Sequence, residues 1–374
     1  MKTANLISRL IVGVVFIFSG FVKAIDPLGS VYKFNDYFEA FGIPWMSPLS
    51  LFLSIGMSGL EFIIGFSIFF GLRTRLASWG ALLFMIFFTP LTLYIALANP
   101  VSDCGCFGDA LILSNTDTFI KNIFILAAAI IVFVYRKKFK TFLSLKMQWI
   151  CIGIASIFIV AMSVYCLRHE PIIDFRPWKV GNKIKDYVTP TPEIAEISLL
   201  YKNKNTGEIK EYPVNNYPWN DSSWVANWEF VDQKKNIIQE YVKAPISDFV
   251  IHDEFQDDLT EGFIGNPDYQ FLLFAYDLII TNKQSYPKIN EFAELAEKDG
   301  YSFIGLTASP FTYIEEFRHE MQTLYPFYLV DEIALKTAIR SNPGIILIKD
   351  GVVIAKWAHR DLPKYEVVKE EFMK

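Results

Sequence analysis

The segment PLSLFLSIGMSGLEFIIGFSIFFGL, residues 48–72, decides the class of protein that this sequence encodes. It is 25 residues long and contains one ionisable side chain, Glu61. A helix needs roughly 20 mostly apolar residues to cross the hydrocarbon core of a bilayer. Further segments of this kind lie at residues 6–22, 76–97, 119–135 and 148–167. The sequence therefore predicts a bundle of five transmembrane helices, with the lipid bilayer as a partner.

The distribution of Lys and Arg predicts how the five helices are oriented. The N-terminus and the loops at residues 73–75 and 136–146 are basic, whereas residues 101–118 contain no Lys or Arg. Basic loops remain on the cytoplasmic side of a membrane. We therefore expect the N-terminus inside, the 101–118 loop outside, and everything after residue 167 outside as well.

The overall charge argues against nucleic acid as a partner. The chain has a net charge of −5, and the membrane topology accounts for its basic clusters. The sequence also has no Gly-rich phosphate-binding motif. We expect no nucleic-acid binding.

The region after the last span is polar and divides into two parts. Residues 168–245 predict a tether followed by a β-rich subdomain, in which EISLLYKN (196–203) begins a hairpin and WVANWEFVD (224–232) continues the strands. Residues 246–374 alternate strands and helices and finish with a hairpin and a helix. This order is typical of a thioredoxin fold, so we predict a soluble α/β domain of that class.

The sequence near the end of this domain resembles thioredoxin-like proteins. SNPGIILIKDGVVIAKW (341–357) is similar to the segment that contains the family's cis-proline, which implies that Pro343 is cis. The same resemblance puts the family's two redox positions at about Ile279 and Asn282. Neither is cysteine, and residues 170–374 contain no cysteine at all. We therefore expect this domain to dock a partner without exchanging disulfides itself.

The membrane half resembles the DoxX family of small bacterial membrane proteins. The resemblance covers roughly residues 1–145 and rests on SGFVKAIDP (19–27) and SGLEFIIGFSIFFGLRTRLAS (58–78). CGCFG (104–108) is the pattern of the related MauE-like members, which are associated with disulfide formation in exported partners. The resemblance implies a bacterial inner membrane, a C-terminal domain in the periplasm, and an exported protein as client.

Cys104 and Cys106 are the expected redox pair. Gly105 permits the sharp bend that a bond between them would need, and the small ring would be strained. Strained, exposed disulfides are often the labile or catalytic ones. Two other interpretations stay open: an inert staple of the loop, and a metal site, for which the chain offers few further ligands. We expect no metal and no cofactor. A quinone is possible, but nothing in the sequence indicates one.

Two other cysteines lie in the fifth span. Cys166 ends that span on the outer side, with His169 one turn beyond, so a resolving role for its thiol is possible, with His169 lowering the thiol pKa. More often such a cysteine is a small buried apolar residue. Cys151 lies several turns earlier and is expected to be structural.

Glu61 is the acidic residue deep inside a span. An acid at that depth is a functional candidate by default. The alternative is a neutral Glu that is hydrogen-bonded to a neighbouring helix, for which Ser19 and Ser58 are suitable residue types. Lys23 and Arg73 lie at opposite ends of their helices, and neither is an obvious partner for this carboxyl group.

These features predict an outward Cys-Gly-Cys loop that exchanges electrons with a client held by the outer domain. The alternative is a non-enzymatic membrane scaffold or assembly factor of the cell envelope, with a structural disulfide in the loop. The sequence leaves open whether the chain is an enzyme.

Overall fold

The structure is a computed structural model that describes residues 2–139, 141 and 143–374. It contains a helical bundle, a small antiparallel sheet and an α/β domain. Residues 140 and 142, which belong to the basic loop at 136–146, are not among the residues that the structure describes. Arg136 is described and belongs to that loop.

The bundle confirms the five predicted membrane helices. Five helices of the described residues are long and apolar enough to cross a bilayer. A sixth, amphipathic helix lies between the first two and was not predicted. It starts where the Asp26 carboxylate accepts a hydrogen bond from the Gly29 N–H. The helices are α1 (Lys2–Ile25), α2 (Pro27–Ala40), α3 (Ser50–Phe70), α4 (Thr74–Ala98), α5 (Asn115–Val134) and α6 (Leu145–Arg168).

Helices α1 and α3 make the closest helix pair of the bundle because glycines line their contact. A Cβ atom added to Gly20 would lie 2.5 Å from the Phe62 backbone nitrogen. One added to Gly65 would lie 2.5 Å from the Ile17 backbone nitrogen. Small residues of this kind let the backbones of membrane helices approach closely. The approach brings the end of α1 alongside the middle of α3.

A separate three-stranded sheet follows the bundle, after the short helix α7 (Lys185–Val188). Its antiparallel strands are arranged β2-β1-β3. The segment 224–232 was predicted to be strand throughout, but it begins in a helix, because the Asp221 carboxylate caps the N–H groups of Ser223 and Trp224. The elements are β1 (Ile194–Asn203), β2 (Ile209–Pro213), α8 (Ser222–Asn227) and β3 (Trp228–Gln239).

The last region has the predicted thioredoxin fold. Its sheet order is β6-β5-β4-β7-β8, with β4, β5 and β6 parallel and β7 antiparallel to β4. The hairpin β7–β8 turns at Asp350 and Gly351, both at positive φ. The elements are α9 (Thr260–Ile264), β4 (Gln270–Phe274), α10 (Tyr286–Lys298), β5 (Ser302–Thr307), α11 (Phe311–Met321), β6 (Phe327–Leu329), α12 (Glu332–Ala338), β7 (Gly344–Lys349), β8 (Val352–Ala358) and α13 (Tyr365–Phe372).

Part of the segment predicted as a tether packs into this domain instead. Trp178 and Ile184 are fully buried in the core on one face of the sheet, where Trp178 contacts Phe249. The Ile184 N–H donates to the Gly351 carbonyl oxygen at 2.6 Å. Burial of large apolar side chains outweighs the polar composition of the segment, so the α/β domain starts well before residue 246.

We predict that two glycines of α3 respond in opposite ways to alanine. Alanine is about 1 kcal/mol better than glycine in a helix, and a Cβ at Gly56 meets nothing within 4 Å. Gly56→Ala should therefore leave the melting temperature unchanged or raise it. Gly65→Ala should lower it, because its Cβ collides with the α1 backbone.

The measurement is thermal unfolding of both variants in the same detergent. Equal melting temperatures for Gly65→Ala and the unchanged protein would contradict the close α1–α3 contact.

Candidate functional site

The loop between α4 and α5 brings the two predicted cysteines face to face. Cys104 and Cys106 are both half-buried thiols, and their Sγ atoms are 2.7 Å apart. Gly105 between them has φ +64°, a backbone conformation that glycine adopts without a steric penalty. The bend expected from the Cys-Gly-Cys spacing thus forms with both thiols on the same side.

Side chains of α1 and α2 hold the backbone at each cysteine. The Tyr37 hydroxyl donates a hydrogen bond to the Cys104 carbonyl oxygen at 2.9 Å. The Ser19 hydroxyl lies 2.8 Å from the Cys106 carbonyl oxygen. Because these two bonds come from different helices, the loop is oriented by the packing of the bundle.

A third contact holds the bend itself. The Asp103 carboxylate accepts a hydrogen bond from the Gly105 N–H at 2.9 Å. The same carboxylate pairs with the Lys33 ammonium of α2 at 2.6 Å. These two contacts of Asp103 therefore also fix the conformation of the loop.

A buried ion pair lies directly below the loop. The Lys23 ammonium is 2.8 Å from both carboxylate oxygens of Glu61, and the two side chains are only 11 % and 5 % exposed. Lys23, which is not an obvious partner from its position in the sequence, is therefore the ion-pair partner of Glu61. Gly20 packs on α3 beside Phe62, so Lys23, one turn later, is within reach of Glu61. Ser58 bonds to its own helix instead, donating to the Ile55 carbonyl oxygen.

Ser19 connects this ion pair to the cysteine loop. Its hydroxyl oxygen is 2.7 Å from Glu61 Oε2 and accepts a hydrogen bond from the Lys23 ammonium at 3.0 Å. A serine hydroxyl has one proton to donate, so it donates either to Glu61 or to the Cys106 carbonyl oxygen. The position of Cys106 is thereby coupled to the charges inside the membrane.

The two thiols differ in acidity. A hydrogen bond from the Cys104 thiol lowers the pKa of Cys106 to about 6, against the opposing effect of burial, and the charges of Lys121 and Lys23 act in the same direction. The same bond, together with burial, raises the pKa of Cys104. A thiolate is the nucleophilic form of cysteine. At neutral pH the pair therefore holds one thiolate at Cys106 and one thiol at Cys104.

Cys166 and His169 are not part of this arrangement. Cys166 is buried in α6, and it lines neither of the two cavities next to the loop. His169 stacks on Tyr165, and its Nδ1 atom is 2.6 Å from the Asp361 carboxylate of the outer domain. His169 thus pairs with a carboxylate rather than a thiol, and a resolving role for Cys166 stays a prediction. Cys151 is half-buried earlier in the same helix.

The outer domain keeps the backbone geometry of the thioredoxin active-site edge without its thiols. The Asn342–Pro343 peptide is cis. The Asn282 N–H donates to the Asn342 carbonyl oxygen at 3.0 Å, so the segment that would carry the redox positions lies against the cis-proline loop. Ile279 in that segment is 68 % exposed.

A buried arginine joins the cis-proline loop to the membrane half. The Arg340 guanidinium is 2.7 Å from Asp26, at the end of α1, and 3.2 Å from Asp109, just after the CGCFG motif. Burial alone would raise the pKa of Asp26, but the charge and hydrogen bonds of Arg340 hold it below its ordinary value. The contact sets the outer domain over the cysteine loop.

A polar crevice of about 540 Å³ separates the two halves beside this contact. Its lower wall is formed by α2 and the cysteine loop, including Gly105 and Asp103. Its upper wall is formed by α12, including Lys336, and by Arg340 in the loop that follows. A polypeptide that enters between the two halves thus meets the back of the Cys-Gly-Cys bend.

Comparison with protein families supports the MauE part of the resemblance. Residues 1–135 match the family described as methylamine utilisation protein MauE. Residues 195–240, which contain the three-stranded sheet, match a domain of unknown function (DUF8463). The comparison with curated proteins found no match.

Three solved structures are similar to about a third of the chain. They are a thiol:disulfide interchange protein from Bacteroides sp. (16 % identity, 34 % of this chain and 86 % of that one, TM-score 0.27), a putative protein disulfide isomerase from Bacteroides thetaiotaomicron (17 %, 33 % and 82 %, 0.27), and StoA from Bacillus subtilis (15 %, 33 % and 93 %, 0.26).

We predict that Lys23→Met is strongly destabilising. The substitution leaves the Glu61 carboxylate buried without its cation, which typically costs about 3–5 kcal/mol. The double variant Lys23→Met/Glu61→Gln should recover much of the loss because it removes the unpaired charge. Unfolding in detergent measures both.

Lys33→Met is the matched control. Its partner Asp103 is closer to water, with side-chain exposures of 31 % and 22 % for the pair, and such pairs contribute about 1 kcal/mol or less. Equal destabilisation by Lys23→Met and Lys33→Met would contradict a buried pair.

We predict that the acidity of Cys106 depends on the hydrogen bond from residue 104. Cys104→Ser retains a donor, whereas Cys104→Ala removes it. Iodoacetamide reacts with the thiolate, so the pH at half-maximal alkylation of Cys106 should stay near the pKa of about 6 in Cys104→Ser. It should rise towards the ordinary thiol value of about 8.5 in Cys104→Ala.

Mass spectrometry of the 104–106 peptide follows the reaction. The same alkylation midpoint in the two variants would rule out the hydrogen bond as the cause of the acidity.

Proposed function

We propose that this chain is a membrane-bound thiol–disulfide exchange protein of the DoxX/MauE type, with Cys104 and Cys106 as its redox pair. The observation that supports it best is the facing pair of sulfurs, 2.7 Å apart, with an acidic thiol at Cys106. An acidic, partly exposed thiol next to a second thiol is the arrangement used in disulfide exchange. A staple has no need of a low thiol pKa.

Because the Cys106 thiol is more acidic than the Cys104 thiol, the two sulfurs have different roles in the exchange. When the loop is a disulfide, a client thiolate attacks the Cys104 sulfur, because Cys106 is the better leaving group. The Cys104–Cys106 bond breaks, and Cys106 departs as a thiolate. The client's second thiol then attacks the client sulfur of the mixed disulfide and releases Cys104. Two electrons and two protons pass from the client dithiol to the loop.

The outer domain supplies the docking surface in this proposal. It has no cysteine, but Arg340 anchors it beside the crevice that leads to Gly105. A tethered docking domain raises the local concentration of client at the loop to the millimolar range. The client is an exported protein with paired cysteines, the membrane is the bacterial inner membrane, and the domain lies in the periplasm, as the basic loops favour.

The competing function is a scaffold whose Cys-Gly-Cys loop is a permanent disulfide. The exposed apolar side chains of the three-stranded sheet, such as Val231 and Ile238 of β3, favour a recruiting role for the outer region. Exchange requires the two cysteines to cycle between the reduced and the oxidised form, whereas the scaffold requires only a permanent disulfide.

The test is thiol trapping on membranes quenched in acid. The unchanged protein should show both oxidised and reduced loops. Cys106→Ser should accumulate a mixed disulfide between Cys104 and a client. It forms when the Cys104 thiolate attacks the disulfide of an oxidised client, the reverse of the last exchange step, and without Cys106 the loop cannot close and release the client. The band should vanish in Cys104→Ser/Cys106→Ser.

Cys151→Ser is the control and should behave as the unchanged protein. A fully oxidised loop in cells, with no mixed disulfide in Cys106→Ser, would establish the staple instead.

A further inference from the structure

We propose that the cavity below the cysteine loop binds a membrane-soluble quinone, which takes up the electrons of the reduced Cys104–Cys106 pair. This inference rests on the proposed exchange function and names the acceptor that the function requires. A dithiol that has oxidised a client must pass on two electrons before it can act again. The sequence alone indicates no cofactor, whereas the shape and lining of the cavity favour a quinone.

The cavity has a volume of about 350 Å³ and lies among the first five helices. Both cysteines line it, so a bound molecule reaches the sulfurs directly. Its body is apolar, with Met57 on one side and Leu91 and Phe88 of α4 on the other. This environment suits a flat hydrophobic ring rather than a charged or sugar-like ligand.

The cavity opens where lipid is expected. Phe87 on its wall is 65 % exposed, and Phe41, at the end of α2, is 37 % exposed. Phe87 lies within the membrane-spanning part of α4. A lipid-soluble carrier can therefore enter from the bilayer and leave its tail outside, without crossing water.

Hydrogen-bond donors surround the cysteine end of the cavity. Lys121 of α5 lines it, with its ammonium 4.2 Å from the centre of the Phe107 ring, and no ion pair joins it to a carboxylate of the described residues. Asn122 also lines the cavity, whereas the Tyr37 hydroxyl already donates its proton to the Cys104 carbonyl oxygen. A quinone has carbonyl oxygens that accept such bonds. A phospholipid acyl chain has neither an acceptor for Lys121 nor the capacity to take electrons.

The reaction balances without a further oxidant or reductant. The Cys106 thiolate and the Cys104 thiol lose two electrons and one proton and form the Cys104–Cys106 bond, while the quinone gains the two electrons, that proton and a second proton from water and becomes a quinol. Lys121 is placed to hold the developing negative charge on the quinone oxygen, as a cation at a reacting oxygen does in other enzymes.

The cysteine loop borders both spaces. Gly105, Lys23 and Lys33 line both the apolar cavity and the polar crevice, so the loop is a thin partition between them. Both cysteines line the cavity and neither lines the crevice. The client and the quinone therefore react with the pair one after the other.

The test uses the full-length protein in lipid nanodiscs without oxygen, reduced beforehand and freed of reductant. The probe is decylubiquinone, whose reduction is followed by its absorbance. The unchanged protein should reduce about one quinone per chain, as the balance of one dithiol per quinone requires. Cys104→Ser/Cys106→Ser should reduce none, because it has no dithiol to oxidise.

Leu91→Trp fills the cavity, and Leu83→Trp is its matched control. Leu83 is on the same helix and 57 % exposed on the outside of the bundle. Leu91→Trp should weaken decylubiquinone binding and slow its reduction at least about tenfold, as steric exclusion from a pocket does, and Leu83→Trp should change neither. Met57→Trp, from the opposite wall, repeats the test should Leu91→Trp fail to fold.

Exchange with dithiothreitol separates the two proposals. Quinone reduction unchanged in a folded cavity-filling variant, with normal dithiol exchange, overturns the quinone site and leaves the exchange function standing. Failure of the unchanged protein to exchange with dithiothreitol overturns the exchange function. Failure of the unchanged protein to bind decylubiquinone overturns the quinone site by itself.

Discussion

The ion pair between Lys23 and Glu61 is the constraint on which the site depends. A carboxylate surrounded by lipid-facing helices is tolerated only when it is paired and hydrogen-bonded. The pair forms because Gly20 lets α1 lie against α3 without an intervening side chain. Ser19 extends the network to the carbonyl group of Cys106. Close packing of two membrane helices therefore determines where the redox loop is held, and the loop moves only if the charges beneath it rearrange.

A second set of charges holds the outer domain in place. Arg340, two residues before the cis-proline peptide, reaches both Asp26 and Asp109. Each of these acids stands next to an element of the redox site, one at the end of α1 and the other in the loop after Cys106. The thioredoxin fold here carries no thiol, yet the edge that would hold the thiols is tied to the membrane loop that does. The thioredoxin fold thus lies beside a pair of thiols that belongs to another part of the chain.

The length of the hydrophobic segments and the order of strands and helices predict the architecture well. They do not predict which residues of different helices contact each other. Hydrophobic length is enough to find five spans, and the order of strands and helices is enough to predict the thioredoxin fold. Glu61 and the cysteines stand out by residue type alone. The pairing with Lys23 does not, because it depends on which helices touch and at what depth. Local capping by Asp26 and Asp221 likewise determines where two of the unpredicted helices, α2 and α8, begin.

The position of the Cys-Gly-Cys bend explains why so short a motif suffices. A redox pair that takes electrons from a protein and gives them to a lipid-soluble carrier must be open to water on one side and to an apolar space on the other. A helix would separate these spaces by its full width of about 10 Å. One glycine between the cysteines directs both sulfurs into the cavity and leaves its own backbone in the crevice. The partition between the two spaces is then a single turn of chain, with the sulfurs on the side of the cavity.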